Sequence, residues 1–300
     1  MTQLQKYIWL IDTIRRYGKI SHKDLSDEWE RNKNMSDYKP LHRGTFNRWR
    51  DAIRSKLGID IECQKMGGYV YYIANPEIID DNKLKRWMLD TFSVGNIIEG
   101  NLSLHNRILI EEIPSGRLYL IPIVEAIKRN KVVEMTYNSF KTGEISGSVV
   151  EPYCLKLFEG RWYLLARPKD KDRPEIYGLD RIGSLKILED TFKLPKDFSA
   201  ADYFDSMYGV VLDKATPERI VVRAYTQHRH YVKSLPIHHS QRLIEEHDDY
   251  ADFELYVAPT YDFVMRLLHD GAWLEVLSPL SLRQAMKGWI SDMYDLYTYP

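Results

Sequence analysis

Only two cysteines occur in 300 residues, Cys63 and Cys154, and neither belongs to a CxxC pair. Neither a disulfide framework nor a thiolate zinc site is indicated. Long apolar runs are missing too. Nothing approaches the ~20 residues that span a bilayer, so no membrane partner is expected. The opening MTQLQKYIWLIDTIRRYGK lacks the small-residue cleavage site of a secretory signal, and the expected location is cytoplasmic. Catalytic signatures are equally scarce: there is no GxSxG elbow, no GxxxxGK[ST] phosphate loop and no GxGxxG after a strand. Of nine histidines, His228, His230, His238, His239 and His247 crowd one region. None is paired in the HExxH manner and no clustered Asp completes a ligand set, so they read as a polar surface patch. Asp248 and Asp249 read as a solvated loop pair. No catalytic residue, metal or cofactor is expected, and the chain reads as a non-enzyme.

The remaining composition, 44% hydrophobic and 28% charged, is that of an ordinary globular protein. At ~150 residues per domain the length suggests about two domains. The net charge of -1 hides a segregation. Residues 1–75 carry 14 Lys+Arg against 9 Asp+Glu, and the remainder carries 28 against 34. A basic head on an acidic body suggests a module for a polyanion joined to something else.

The head has a readable order. Leu4, Tyr7, Ile8, Ile11 and Ile14 recur at helical spacing up to Gly18. Ser21 is placed to cap a second helix through Leu25 and Trp29. In LHRGTFNRWRDAIRSKLG, Phe46, Trp49, Ile53 and Leu57 form the apolar stripe of a third helix, and Gly58 stops it. The other surface of that helix carries Arg43, Thr45, Asn47, Arg48, Arg50 and Arg54, opposed only by Asp51. Two short strands then flank Lys65-Met66-Gly67-Gly68, where glycine supplies the positive φ of a tight turn. Three helices and a hairpin are the order of a winged helix-turn-helix. Its last helix enters the major groove, with Arg and Asn reaching base edges and other cations, Lys65 among them, pairing with phosphate. A basic but merely solvated face, or a winged fold used for protein contacts, is the competing reading.

Beyond residue 76, Leu84, Trp87, Met88 and Phe92 have helical spacing, broken near Gly95 and Gly100, which suggests connector helices. Ile121, Val124 and Ile127 mark another short helix. VVEMTYNSF, ISGSVVEPYCLKLF, RWYLLARPK and EIYGLDRIGSLKIL are strands on short turns, as in a small barrel. GRWYLLAR, preceded by VVEPYCL and followed by YGLDRI, resembles the WYL domain of bacterial transcriptional regulators, over about residues 120–195. The resemblance implies an SH3/Sm-like β-barrel that senses an effector, in some members single-stranded nucleic acid, so a nucleotide or single strand is the expected ligand. It implies Tyr137, Tyr163, Arg167 and Arg181 as ligand-surface residues. Trp162 and Leu164 are assigned to the core, with Tyr163 on the opposite face of its strand. Two departures reduce the cationic charge: Ser148 and Gly178 stand where the family often has Arg. Lys141, Lys156, Lys169 and Lys171 are candidates to compensate from loops.

The last hundred residues read as βαββαβ and a final helix with Leu282, Met286, Trp289, Ile290 and Met293, a ferredoxin-like order. They resemble the C-terminal extension that follows WYL domains and helps the protein dimerise. The expected fold class is α+β. Its parts are a winged helix-turn-helix (1–76), a helical connector (77–118), an SH3/Sm-like barrel (119–198) and a ferredoxin-like domain (199–300). The expected function is a ligand-responsive transcriptional regulator, a homodimer on a double-stranded DNA operator. The alternative is a nucleic-acid-processing enzyme, or its accessory subunit, targeted by the winged head.

Overall fold

The computed structural model describes residues 2–32, 36–100, 107, 109, 116–140 and 142–298. The chain forms two compact units, Met1–Glu111 and Glu112–Pro300, and is α+β throughout.

The first unit opens with α1 (Gln3–Tyr17), capped by Thr2 in a reciprocal box with Gln5. The two-residue β1 (Ile20–Ser21) follows, then α2 (His22–Arg31), where the Ser21 hydroxyl accepts the Asp24 N–H at 3.1 Å. Next come α3 (Arg43–Leu57), β2 (Ile61–Gln64) and β3 (Val70–Ile73). β3 pairs antiparallel with both β1 and β2. The core is aromatic. Trp29 meets Trp9 and Trp49 edge-on at 4.9 and 5.2 Å, and Phe46 is enclosed by His22 and Tyr71. Phe46, Trp49 and Ile53 are buried as their spacing requires, which fixes the opposite side of α3 in solvent.

The short α4 (Glu77–Asp80) leads into α5 (Lys83–Gly100), which runs through Gly95 without the break expected there. Its buried contact is Leu89, which joins the head's core, while Trp87 and Phe92 are exposed. The Leu84 side chain lies outside the described residues. Arg15 of α1 reaches Asp80 at 3.4 Å and Asp90 at 3.8 Å, so these helices pack on the head itself.

The second unit begins with α6 (Arg117–Lys128). Its buried positions are Ile123 and Ala126, with Tyr119, Leu120 and Ile127 partly covered. Ile121 and Val124 face solvent, a correction to the expected stripe, which was rotated by about one residue. A five-stranded antiparallel sheet follows: β4 (Lys131–Asn138), β5 (Ile145–Phe158), β6 (Arg161–Pro168), β7 (Glu175–Gly178) and β8 (Ile182–Thr191). Its order is β7-β6-β5-β4-β8, the meander of an SH3-like barrel, and a 3₁₀ turn, Leu179–Arg181, precedes the last strand. Glu159 and Gly160 both have positive φ, the I′ geometry that joins β5 to β6.

After α7 (Ala200–Asp205) come β9 (Glu218–Tyr225), α8 (His228–Ser234), β10 (Arg242–Glu246), β11 (Tyr250–Val257), α9 (Tyr261–His269), β12 (Leu274–Ser278) and α10 (Leu280–Thr298). The sheet order β10-β11-β9-β12, antiparallel throughout, is the ferredoxin-like arrangement. Arg223 holds the buried Asp252 through two hydrogen bonds of 2.7 and 2.8 Å. Among the described residues no helix is long and apolar enough to cross a membrane.

Candidate functional site

The apolar stripe of α3 sets what its other side presents. Arg43, Asn47 and Arg48 are exposed, and Arg43 has no carboxylate partner among the described residues. Arg48 is steadied by its own helix, its guanidinium donating to the Thr45 hydroxyl at 3.2 Å. Thr45 itself is half-buried. Asp51 is not alone in opposing Arg50 and Arg54. They border a recess shared with Asp51, Asp60 and Glu62, and Arg54 sits 2.9 Å from the Asp60 carboxylate. Arg50 is 3.9 Å from Asp51. The helix therefore has a free cationic start and a partly neutralised end. The hairpin between β2 and β3 bends through Gly67 and Gly68 at φ +90° and +119°, and leaves Lys65 and Met66 exposed.

In the barrel, Arg181 lies over Tyr137, and Tyr163 is near enough to feel the charge of Arg181. The Gly178 N–H donates to the Tyr137 hydroxyl at 3.1 Å, and the Tyr177 ring meets Tyr137 edge-on at 5.0 Å. The Arg181 guanidinium lies 5.4 Å from the Tyr137 ring centre and 5.0 Å from that of Phe140. These are cation–π distances. Burial pushes the Tyr137 hydroxyl pKa up, with the Gly178 N–H and Arg181 pulling against it. Tyr163 is half-buried, and burial raises its pKa while Arg181 and Arg161 oppose. Leu164 is in the core and Trp162 packs beside it, as assigned.

Gly178 has a physical reason to be bare. A Cβ there would stand 2.8 Å from Nε and Nη2 of Arg181, so the guanidinium from the neighbouring turn already occupies the space. Arg181 has no carboxylate partner among the described residues, whereas nearby Arg161 is paired with Asp180 at 3.0 Å.

Arg167 does not join this group. It lies four residues along β6 from Tyr163, on the same face, but is locked to the buried Glu151 by hydrogen bonds of 3.0 and 2.8 Å. The compensating lysines are also committed elsewhere. Lys169 pairs with Asp190 and Lys171 with Glu175, both near 2.9 Å. Lys156 lies on β5 rather than in a loop, donating to the Gly209 carbonyl at 2.6 Å. Lys141 lies outside the described residues. No group of three or more His, Cys, Asp or Glu is placed to hold a metal ion among the described residues. The histidines are not all superficial, however: His238 is buried, with Nδ1 2.8 Å from the Ser240 hydroxyl.

Sequence reasoning missed two partners. Phe140 was passed over because a lone aromatic at a strand end carries no periodic signal. Asp60 was missed because it lies beyond the helix, and only the turn at Gly58 brings it back to Arg54.

Two family models match the chain: the WYL domain over residues 119–187 and the WCX domain over residues 216–294. The chain carries a WYL domain and a WCX domain. The matched regions coincide with the five-stranded sheet and the ferredoxin-like sheet. Protein PafB of Mycobacterium bovis and of Mycobacterium tuberculosis are each 31% identical to the chain over 62 residues, 21% of this chain and 19% of theirs. The match thus spans about a fifth of the length of those curated relatives. Among solved structures, the proteasome accessory factor B/C (PafBC) of Arthrobacter aurescens superposes with a TM-score of 0.30 at 15% identity, covering 85% of this chain and 41% of that one. A CRISPR Cas-related protein superposes with a TM-score of 0.39 at 13% identity, covering 84% and 71%. Superpositions this loose carry no weight for what the chain binds.

Proposed function

We propose that this protein is an effector-responsive transcriptional regulator that binds a double-stranded DNA operator through its winged head. The observation that carries the reading is the start of α3. Arg43, Asn47 and Arg48 stand exposed there on a helix whose other face is wedged into an aromatic core. A rigid rod with bidentate donors on its free side is what major-groove readout needs. The proposed effector is a nucleotide or single-stranded nucleic acid, taken at Tyr137, Tyr163 and Arg181. There an unpaired guanidinium meets phosphate, backed by the buried Tyr137 ring, while half-buried Tyr163 and exposed Phe140 supply aromatic surface. The protein works by binding rather than catalysis, in the cytoplasm, as a homodimer on a two-fold operator. α10 leaves Trp289, Ile290 and Met293 exposed, in keeping with a partner.

The test is selection of bound genomic fragments at physiological salt, followed by gel-shift titration with and without short oligonucleotides. Sequence-selective binding that an oligonucleotide alters, and that Arg181→Ala makes insensitive to it, is the expected result. Divalent-metal-dependent cleavage of the fragments, or binding without sequence preference, overturns the reading.

A further inference from the structure

The outer face of the barrel carries a second recess that the DNA and effector readings do not use. A cavity of about 370 Å³ lies between the β5–β6 ladder, the turn before β7 and the segment leading into α7. Its walls are aromatic. Tyr153 meets Phe198 edge-on at 5.3 Å, and Tyr203 stands 6.0 Å beyond Phe198. Tyr153 is buried, while Phe198 and Tyr203 are half-covered. Around the same space stand Asp172, Asp197 and Asp202.

The charge there is uncompensated. The one cation in the lining, Arg167, is cancelled by the two hydrogen bonds it gives Glu151. Lys169 and Lys171, beside Asp172 in sequence, are spent on Asp190 and Glu175. No ion pair holds Asp172, Asp197 or Asp202 among the described residues, and Arg173 and Lys196 do not line the cavity.

Aromatic walls with carboxylates at the rim select by elimination. An anion is repelled. A neutral apolar ligand would strip water from the carboxylates and leave them unpaired. A bare metal ion would gain nothing from the rings. A flexible chain of methylenes between ammonium groups satisfies both parts, lying on the ring faces while its charges reach separate carboxylates. We propose that this recess is a binding site for a linear polyamine. The site is independent of DNA binding, and its occupant would join the barrel face to the segment that leads towards the ferredoxin-like sheet.

The experiment is isothermal titration calorimetry of the full chain, without DNA, using spermidine at physiological salt. One saturable site is expected, weakened roughly tenfold or more by Asp197→Asn with Asp202→Asn, which is at least about 1.4 kcal/mol. The control Asp248→Asn with Asp249→Asn removes an exposed acidic pair elsewhere and should leave the affinity unchanged. Magnesium at the same concentration should not displace spermidine. Three results overturn the proposal: no saturable heat, equal weakening in the control, or displacement by magnesium.

Discussion

Replacing Arg43 and Arg54 one at a time separates a free cation from a committed one on the same helix. Arg54 lies 2.9 Å from Asp60, whereas Arg43 has no acidic partner among the described residues. Each cation that neutralises a DNA phosphate adds about 0.9 to the slope of log affinity against log salt. Over a fourfold rise in salt, from about 50 to about 200 mM, one such contact is therefore worth roughly 3.5-fold in affinity. Arg43→Ala should flatten the slope by about 0.9 if the side chain meets phosphate. If it reads a base instead, it should cost ~1–3 kcal/mol on the cognate site alone. Arg54→Ala should flatten the slope by much less, because Asp60 already opposes that charge. Asp60→Asn should do the reverse, freeing Arg54 and tightening binding at low salt. An exposed pair of this kind stabilises the fold by only ~0–1 kcal/mol, so both variants should stay folded. Fluorescence anisotropy of a labelled operator duplex across the salt range measures all three. The reasoning fails if Arg54→Ala flattens the slope as much as Arg43→Ala while Asp60→Asn has no effect. Unchanged affinity in both Arg43→Ala and Arg48→Ala would remove α3 from the interface altogether.

The other predictions concern the fold and the barrel. Phe46→Ala should destabilise the head by ~3–5 kcal/mol, because a fully buried ring between His22 and Tyr71 leaves a cavity; chemical denaturation followed by tryptophan fluorescence measures it, and a loss below about 1 kcal/mol would contradict the packing. Gly178→Ala should push the Arg181 guanidinium off Tyr137 and weaken oligonucleotide binding several-fold; the φ of -71° suits alanine, but the same Cβ would stand 2.8 Å from the Asp180 carboxylate, so some stability is lost as well. An unchanged affinity would show that this stacking does not matter to the ligand. Lys156 gives a pH signature. Burial lowers its pKa from 10.5 to about 8, with Asp262 opposing. Between those values the unfolded chain binds more protons, so this group's contribution makes stability rise with pH through that window. Thermal melts of the wild type against Lys156→Met should show the wild type gaining from about pH 8 to about pH 10; a constant difference would refute the assignment.

Where each part of this structure was legible follows from the range of the interactions that decide it. The α3 stripe of Phe46, Trp49 and Ile53 could be read because helical period and burial coincide over four turns. The ferredoxin-like order could be read because its strands and helices alternate with clear punctuation. The stripe on α6 was misplaced because both faces are apolar: Ile121 and Val124 are as greasy as Ile123 and Ala126, and only packing against the barrel chooses between them. Of the four barrel residues named by resemblance, Arg181 stacks on Tyr137 and Tyr163 lies within reach of its charge. Arg167 departs because its partner is Glu151 on the adjacent strand, a choice made by cross-strand register that no local pattern records. The same holds for Lys156, whose acceptor is the Gly209 carbonyl, 53 residues away.

That Lys156 contact bears on how an effector can act. The Asp262 carboxylate at the start of α9 accepts the Val210 and Val211 N–H groups at 2.6 and 2.8 Å, next to the carbonyl that Lys156 holds. Gly209 is the residue that permits this, since a Cβ there would fall 2.1 Å from the same carboxylate. The segment leaving the barrel is thus tied to the barrel at one point and to the ferredoxin-like domain at the next. A ligand can change DNA affinity only by binding two states of the protein unequally. A hundredfold change requires about 2.7 kcal/mol of that inequality. One charge-assisted hydrogen bond contributes about 1.5–3 kcal/mol, and Arg181 is a barrel cation free to form it, without a carboxylate partner among the described residues. Arg161, Arg167, Lys169 and Lys171 would each have to surrender a carboxylate first, returning most of the gain. On the proposed reading, a single phosphate held by Arg181 in one state and released in the other would change operator affinity by about tenfold to a hundredfold. Arg181→Lys, which keeps the charge but loses the planar fork, should therefore retain ligand binding while reducing the switching ratio, measured as operator affinity with and without oligonucleotide. Full switching in Arg181→Lys would place the decisive contact elsewhere.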